Sequence, residues 1–396
     1  MSEYREELQM KGIDLYSGLP VAVTVAGGVI ARVDALPPSA ALGLPFLCRG
    51  FVDIQVNGYR GVDYTGENLT IEGIRQLVGD LAAAGVLRHV PTLVTAPAER
   101  VERNLRLIRE AVEQDEALRR AIPAIHLEGP YLSAVEGARG AHDPRFIRDS
   151  SINELQRWQQ AAGGMIRLIT LAPERPGAMD FIRAAVAMGI RVAIGHCLPA
   201  ADEIAQAADA GATLSTHLGN GCPAVLPRLQ NPIWQQLAED RLTATVIADG
   251  FHLPDSVLKA IWRVKGPHRL ALVSDVGPLG GLSPGLHAWG NMPVTVHPDG
   301  HLGLAGTDYL AGAGHLLDTC IVVFIRATGT DLRDCLPLVQ QNPLRALGLP
   351  CETGPLRAGE AADVICVRME QHSLRVEEAV SGNHVWSVFK ANLPYP

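Results

Sequence analysis

Between residues 50 and 275 the chain repeats one pattern. A short apolar run is followed by a longer stretch in which apolar residues recur every three or four positions. The runs lie at Phe51–Val56, Arg88–Val94, Ile122–Leu127, Ile166–Leu171, Arg191–Gly195, Ala212–Thr216, Thr243–Ala248 and Arg269–Ser274. A near-continuous apolar run suits a strand buried on both faces of a parallel sheet. The stretches between read as helices. In 71–85, Ile71, Ile74, Leu77, Val78 and Leu81 share one face, and Gly85 supplies a C-terminal stop. Segments 98–114 and 201–211 keep the same period, and 316–329 and 332–348 would complete an outer layer. Eight such units predict an α/β fold, a (β/α)8 barrel of the TIM type. An open doubly wound sheet is the other architecture, but no G-x-G-x-x-G follows the first run.

The chain ends have a different texture. VAVTVAG (21–27), GGVIARVDAL (27–36), GEAADVICVRM (359–369) and VWSVFKANL (385–393) read as short strands bounded by turn residues. They predict a small β-sandwich module formed by both chain ends, residues 1–49 plus 352–396, beside a barrel of residues 50–351.

Composition narrows the function classes. The 396 residues are 47% hydrophobic and 19% charged, enough for a large core. With 34 Lys and Arg against 42 Asp and Glu, the formal charge is −8, which speaks against a nucleic-acid partner. No charge-free apolar stretch reaches the ~18 residues of a membrane span, and MSEYREELQMKG does not read as a secretory signal. The seven cysteines are scattered without a C-x-x-C, the usage of a reduced, cytoplasmic protein.

Barrel enzymes work at the C-terminal ends of their strands. Six of the eight runs end there in polar or titratable residues: Gln55 and Asn57, His126 and Glu128, His196, His217, Asp249 with His252, and Asp275. Glu128, His196 and His217 make a one-carboxylate, two-imidazole set that suits one divalent ion, zinc, with a position left open for water. Asp275, acceptor-only when ionised, is placed to take a proton from that water. His126 is read as structural and facing away from Glu128.

At these residues the sequence resembles the N-acetylglucosamine-6-phosphate deacetylase family of the amidohydrolase superfamily. The resemblance runs from about Gly50 to Pro350. It rests on the order and spacing of GFVDIQVNG (50–58), HLEGPYL (126–132), GARGAHDP (137–144), GH (195–196), THL-x-N (216–220), IADGFH (247–252) and SD (274–275). It implies metal ligands at Glu128, His196 and His217, and Asp275 as general base and acid. It implies His142 as the group that polarises the acyl oxygen. Substrate contacts would fall on Asn220, Gly221 and His252, with Gln55 and Asn57 at the first strand. Arg228 would reach the sugar phosphate of the neighbouring subunit in a homodimer. Gln55-Val56-Asn57 stands where many superfamily members have H-x-H, which implies a single ion per subunit. The expected reaction is hydrolysis of N-acetylglucosamine 6-phosphate to glucosamine 6-phosphate and acetate.

The chain departs from the family pattern in its loops. Gly221-Cys222 follows Asn220, Arg228 lies in AVLPRLQNP, VGPLGGLSPG follows Asp275, and Thr307 lies in LAGTDYLAG. Two alternatives therefore stand beside the main reading. The first keeps the chemistry on another substrate: N-acetylgalactosamine 6-phosphate, an unphosphorylated sugar, or another N-acyl or cyclic amide compound. The second is an inactive barrel used for binding.

Overall fold

The computed structural model describes residues 2–386 except 201, 308 and 372. Eight parallel strands form a nearly closed barrel: β1 (Phe51–Val56), β2 (Val86–Val94), β3 (Ile125–Glu128), β4 (Ile166–Leu171), β5 (Arg191–Ile194), β6 (Leu214–Ser215), β7 (Thr243–Ile247) and β8 (Leu270–Val273). Each pairs with the next in sequence, as right-handed βαβ crossovers dictate. Between β8 and β1 the ladder shrinks to one bridge, Val56 with Val276. The third run starts its strand later than the apolar pattern suggests, at Ile125, because Pro123 lacks the N–H a ladder needs.

The barrel interior is filled in layers. Val52, Ile54, Val90, Ala124, Leu168, Ala193, Leu214, Ile247 and Val273 form its apolar middle. Above them lies a polar layer. His126 Nε2 is 2.7 Å from Thr170 Oγ1, which lies 2.7 Å from Thr216 Oγ1. His126 therefore shares the inward face with Glu128 rather than facing away, as residues two apart in a strand must.

Helices cover the outer face. Three of them start at side-chain caps in which Thr70 accepts from Gly73 N, Ser151 from Glu154 N, and Asn231 from Ile233 N and Trp234 N. Gly85, at φ 82°, ends the first helix, and its missing Cβ leaves room for the Phe51 ring. Segment 332–348 is not one regular helix. Two α-helical turns, Leu332–Leu336 and Asn342–Ala346, flank a π-helical turn at Pro337–Gln341. Pro337 and Pro343 each lack a donor, and the wider turn absorbs that loss.

The chain ends build one eight-stranded sheet in the order Ser2–Tyr4, His384–Trp386, Ser373–Ser381, Asp363–Glu370, Phe46–Arg49, Glu7–Asp14, Pro20–Ala26, Val29–Ala35. A bridge from Val29 to Ala361 folds it back on itself around Met10, Val23, Ile30, Leu47 and Val364. Of the segment 385–393, residues 387–393 lie outside the described residues. One Arg–carboxylate pair bolts this sheet to the barrel, Arg88 of β2 with Asp363 at 2.5 Å, while Arg49 with Glu360 at 2.6 Å ties the early and late segments of the terminal module together. A small three-stranded sheet, Gly285–Trp289, Met292–Val296 and Leu302–Leu304, follows β8 and was not anticipated. Among the described residues, no helix is long and apolar enough to cross a membrane.

Candidate metal centre

Glu128 is the last residue of β3, and His196 and His217 each lie two residues past the end of β5 and β6. Their donor atoms converge. Glu128 Oε1 is 3.1 Å from His196 Nε2 and 2.9 Å from His217 Nε2, and the two Nε2 atoms are 3.0 Å apart. All three side chains are buried. His196 Nδ1 donates to Ala138 O at 2.9 Å, so its Nε2 lone pair points into the cluster. A carboxylate and an imidazole lone pair this close, away from water, repel unless a proton or a cation sits among them. Four-coordinate zinc bonds at about 2.0–2.2 Å place neighbouring donors roughly 3.3 Å apart, close to the spacing seen. Among the described residues this is the one group of three or more His, Cys, Asp or Glu side chains that could hold a metal ion.

Backbone strain collects at the same place. Among the described residues only Arg60, His196, His217 and Asp275 combine a side chain with a positive φ, at 49, 48, 31 and 52°. Such a conformation costs about 1–3 kcal/mol where a glycine is absent, and surrounding contacts must hold it. His217 is held by its N–H on Thr245 Oγ1 at 2.7 Å. Glycines pack against His196 in turn. A Cβ on Gly221 (φ 61°) would lie 2.9 Å from His196 Nδ1, and one on Gly140 would lie 3.0 Å from Cε1. Gly221 thus backs a ring of the cluster, and no bulkier residue fits without moving it.

Asp275 follows β8 and is buried beside this group. Burial, and then the nearby charge of Glu128, push its carboxyl up to about 8, whereas a cation held by Glu128, His196 and His217 would offset the Glu128 charge and favour the ionised form. Its Oδ1 accepts from Asn57 Nδ2 at 2.7 Å. Burial also acts on Glu128, but hydrogen bonds and charge from His196 and His217 hold that carboxyl well below its usual range. His142 stacks edge-on to His196, with ring centroids 4.3 Å apart. Burial, and then the His196 charge, lower its pKa to about 3, so it stays neutral. Thr95 N donates to His142 Nδ1 at 3.4 Å, and Thr95 Oγ1 lies 2.9 Å from the same atom. A backbone N–H only donates, so Nδ1 accepts and the ring proton sits on Nε2.

The remaining sequence candidates divide. Asn220 is half-buried at the mouth, its Nδ2 on His217 O at 3.2 Å. His252 Nδ1 is 2.7 Å from Asp249 Oδ2. Burial alone would raise the Asp249 carboxyl, but the His252 charge and hydrogen bonds outweigh it and leave about 2. Gln55 is buried, with Nε2 lacking a partner among the described residues. Asn57 is turned onto Asp275. Arg228 is exposed and makes no ion pair among the described residues. Its loop also exposes Val225 and Leu229, at 88% and 74%, and Trp234 follows at 56%. Thr95 and Ala138, which orient His142 and His196, carried no signal in the sequence pattern.

No family model matches the chain. The N-acetylglucosamine-6-phosphate deacetylase of Bos taurus is 34% identical over 358 residues, covering 87% of this chain and 84% of that protein. The N-acetylgalactosamine-6-phosphate deacetylase of Escherichia coli O157:H7 is 27% identical over 349 residues, covering 88% and 90%. A solved N-acetyl-D-glucosamine-6-phosphate deacetylase mutant from Mycobacterium smegmatis, in complex with N-acetyl-D-glucosamine-6-phosphate, superposes with a TM-score of 0.84 at 29% identity. It covers 97% of this chain and 100% of that one.

Proposed function

This chain belongs to the N-acetylglucosamine-6-phosphate deacetylase family, and we propose that it hydrolyses the acetamide of N-acetylglucosamine 6-phosphate to acetate and glucosamine 6-phosphate. The observation that carries the reading is the convergence of Glu128, His196 and His217 within 3.1 Å of one another beside a buried Asp275. Residues 50–351 are the catalytic barrel in this reading, with 1–49 and 352–396 as its supporting module.

Glu128, His196 and His217 would hold one divalent ion, with zinc best matched to two imidazoles and a carboxylate. Such an ion, when bound, polarises a carbonyl oxygen and makes a water acidic near neutral pH. Asp275 takes a proton from the attacking water as its oxygen bonds to the acetamide carbon. His142, protonated on Nε2, donates to the carbonyl oxygen as charge builds there, a contribution of about 3–4 kcal/mol for a well-placed donor. Asp275 then passes its proton to the nitrogen as the C–N bond breaks, so water is divided between acetate and the amine. In this reading Asn220, Gly221, His252 and Gln55 would contact the sugar.

Arg228 is the phosphate ligand of this reading, supplied to the neighbouring subunit of a homodimer. That it makes no ion pair among the described residues, and that Val225, Leu229 and Trp234 around it are exposed, supports that role. Seven cysteines, all free thiols, fit a reducing compartment, the cytoplasm.

The E. coli relative named for the galactosamine epimer favours one second reading, the same reaction on N-acetylgalactosamine 6-phosphate. Acetate release by zinc-loaded protein, with both 6-phosphates and free N-acetylglucosamine in parallel, tests both. We expect the glucosamine 6-phosphate precursor to give the highest kcat/KM. A higher value for the epimer selects the second reading, and no acetate from any of them overturns both.

A further inference from the structure

The seam between β8 and β1 is closed by a few hydrogen bonds rather than by a ladder. Asp275 N donates to Gln55 O at 3.0 Å, and Asn57 N donates to Val276 O at 2.9 Å. The buried carboxylate of Asp53 accepts from Ser274 N at 3.2 Å and from Gln55 N at 3.2 Å, doing for the seam what a main-chain carbonyl does elsewhere. Across these bonds Asn57 Nδ2 donates to Asp275 Oδ1 at 2.7 Å and to Asp275 O at 3.3 Å. The amide nitrogen is thus directed twice at one residue, and that residue has φ 52°. Asn57 is itself buried.

From this geometry we infer that Asn57 is a positioning residue: its side-chain amide fixes the Asp275 carboxylate through Oδ1 and leaves Oδ2 to exchange the proton. The inference rests on the deacetylase reading above. It takes the Asn57 amide nitrogen out of the substrate-contact group, because that donor is already engaged, and leaves Oδ1, buried and without a partner among the described residues, as the residue's one unused polar atom. The residue type follows from the chemistry. An ionised carboxylate only accepts, so its holder must donate, and a hydrogen bond to a charged acceptor is stronger than one between neutral groups. A carboxylate on a strained backbone that lacked this partner would spread over several rotamers and meet the water less often in the productive one.

Two substitutions separate donation from packing. Asn57→Leu keeps the branching at Cγ, at a somewhat larger volume, and removes the donor, whereas Asn57→Ser loses volume and keeps a hydroxyl that can donate. Both are assayed as metal-loaded protein for kcat and KM, with metal content by elemental analysis and the thermal midpoint. We expect Asn57→Leu to lower kcat about 10–100-fold, the range for losing a hydrogen bond to a charged group, with KM within about twofold and metal content unchanged. Asn57→Ser should recover part of that loss even though it packs less well. A raised KM at unchanged kcat would return Asn57 to the substrate, and Asn57→Leu equal to or better than Asn57→Ser would reduce it to filler. Metal loss from both variants would assign it to the ligand group; each of these results overturns the inference. Wild-type acetate release, measured alongside, tests the deacetylase reading separately. If Asn57→Leu does not fold, the kcat and KM of Asn57→Ser decide the question alone.

Discussion

Glu128, His196, His217 and Asp275 sit at strand ends, buried, and each is held by a hydrogen bond to another part of the barrel. The loop that carries Arg228 is built from the opposite material: exposed at nearly every position from 224 to 230, with Val225 and Leu229 facing solvent. The two regions meet at Gly221, whose carbonyl accepts from Cys197 N at 3.2 Å while its missing side chain makes room for His196. Reaction chemistry needs groups fixed to a fraction of an ångström, which packed strands supply. Recognition and assembly need a surface that another molecule can complete. The departures from the family pattern in this sequence fall in the loops and leave the donor set untouched.

That contrast can be broken from its rigid side first. Glu128→Ala should abolish metal binding and acetate release together, because two imidazoles alone lose the charge that balances a dication; elemental analysis after desalting reads the first and an acetate assay the second. Asp275→Asn should keep its metal while kcat falls about 10²–10⁴-fold, the usual worth of a positioned general base. A near-normal rate in that variant would remove Asp275 from the proton path. On the exposed side, Arg228→Ala should leave kcat within a few-fold and raise KM by about 10–100-fold for the 6-phosphate, with little change for the unphosphorylated sugar. Equal changes for both substrates would leave the loop without a phosphate role.

A smaller effect sharpens the rigid side through stability. Burial pushes the Asp53 carboxyl up to about 7, against hydrogen bonds from Ser274 and Gln55. Its folded pKa thus exceeds the unfolded one, so the folded protein holds this proton over a range where the unfolded chain has lost it. Stability from this group falls as pH rises from about 4 to about 7 and is level above that, by an amount on the order of a few kcal/mol. Urea midpoints of wild type and Asp53→Asn, measured at pH 5 and pH 8, should converge or cross in that direction. A gap independent of pH would mean that Asp53 is ionised throughout.

Much of the barrel was legible because strands buried on both faces leave unbroken apolar runs, and the donor set because polar residues end those runs. Other parts left weaker traces. The strand Glu7–Asp14 alternates Glu7, Gln9 and Lys11 outward with Leu8 and Met10 inward, so it reads as polar unless period two is sought. The hairpin Gly285–Val296 turns at Gly290-Asn291, a short turn signal between two strands that the overall βα rhythm obscures. Asp53 interrupts the run Phe51–Val56 with a charge, a visible sign that one barrel position is not ordinary core. The link between Asn57 and Asp275 spans 218 residues and follows from closure of the barrel, which no local pattern encodes.

The terminal sheet places Phe46–Arg49 between Glu7–Asp14 and Asp363–Glu370, so early and late segments are neighbours. On a ribosome, the first strands therefore emerge long before their partner. At about 5–20 residues per second the wait lasts tens of seconds, with an open edge exposed throughout. Stalling or truncation near the 3′ end of the message would leave that edge permanently unsatisfied, and chaperone capture of such nascent chains is the cellular trace it should leave.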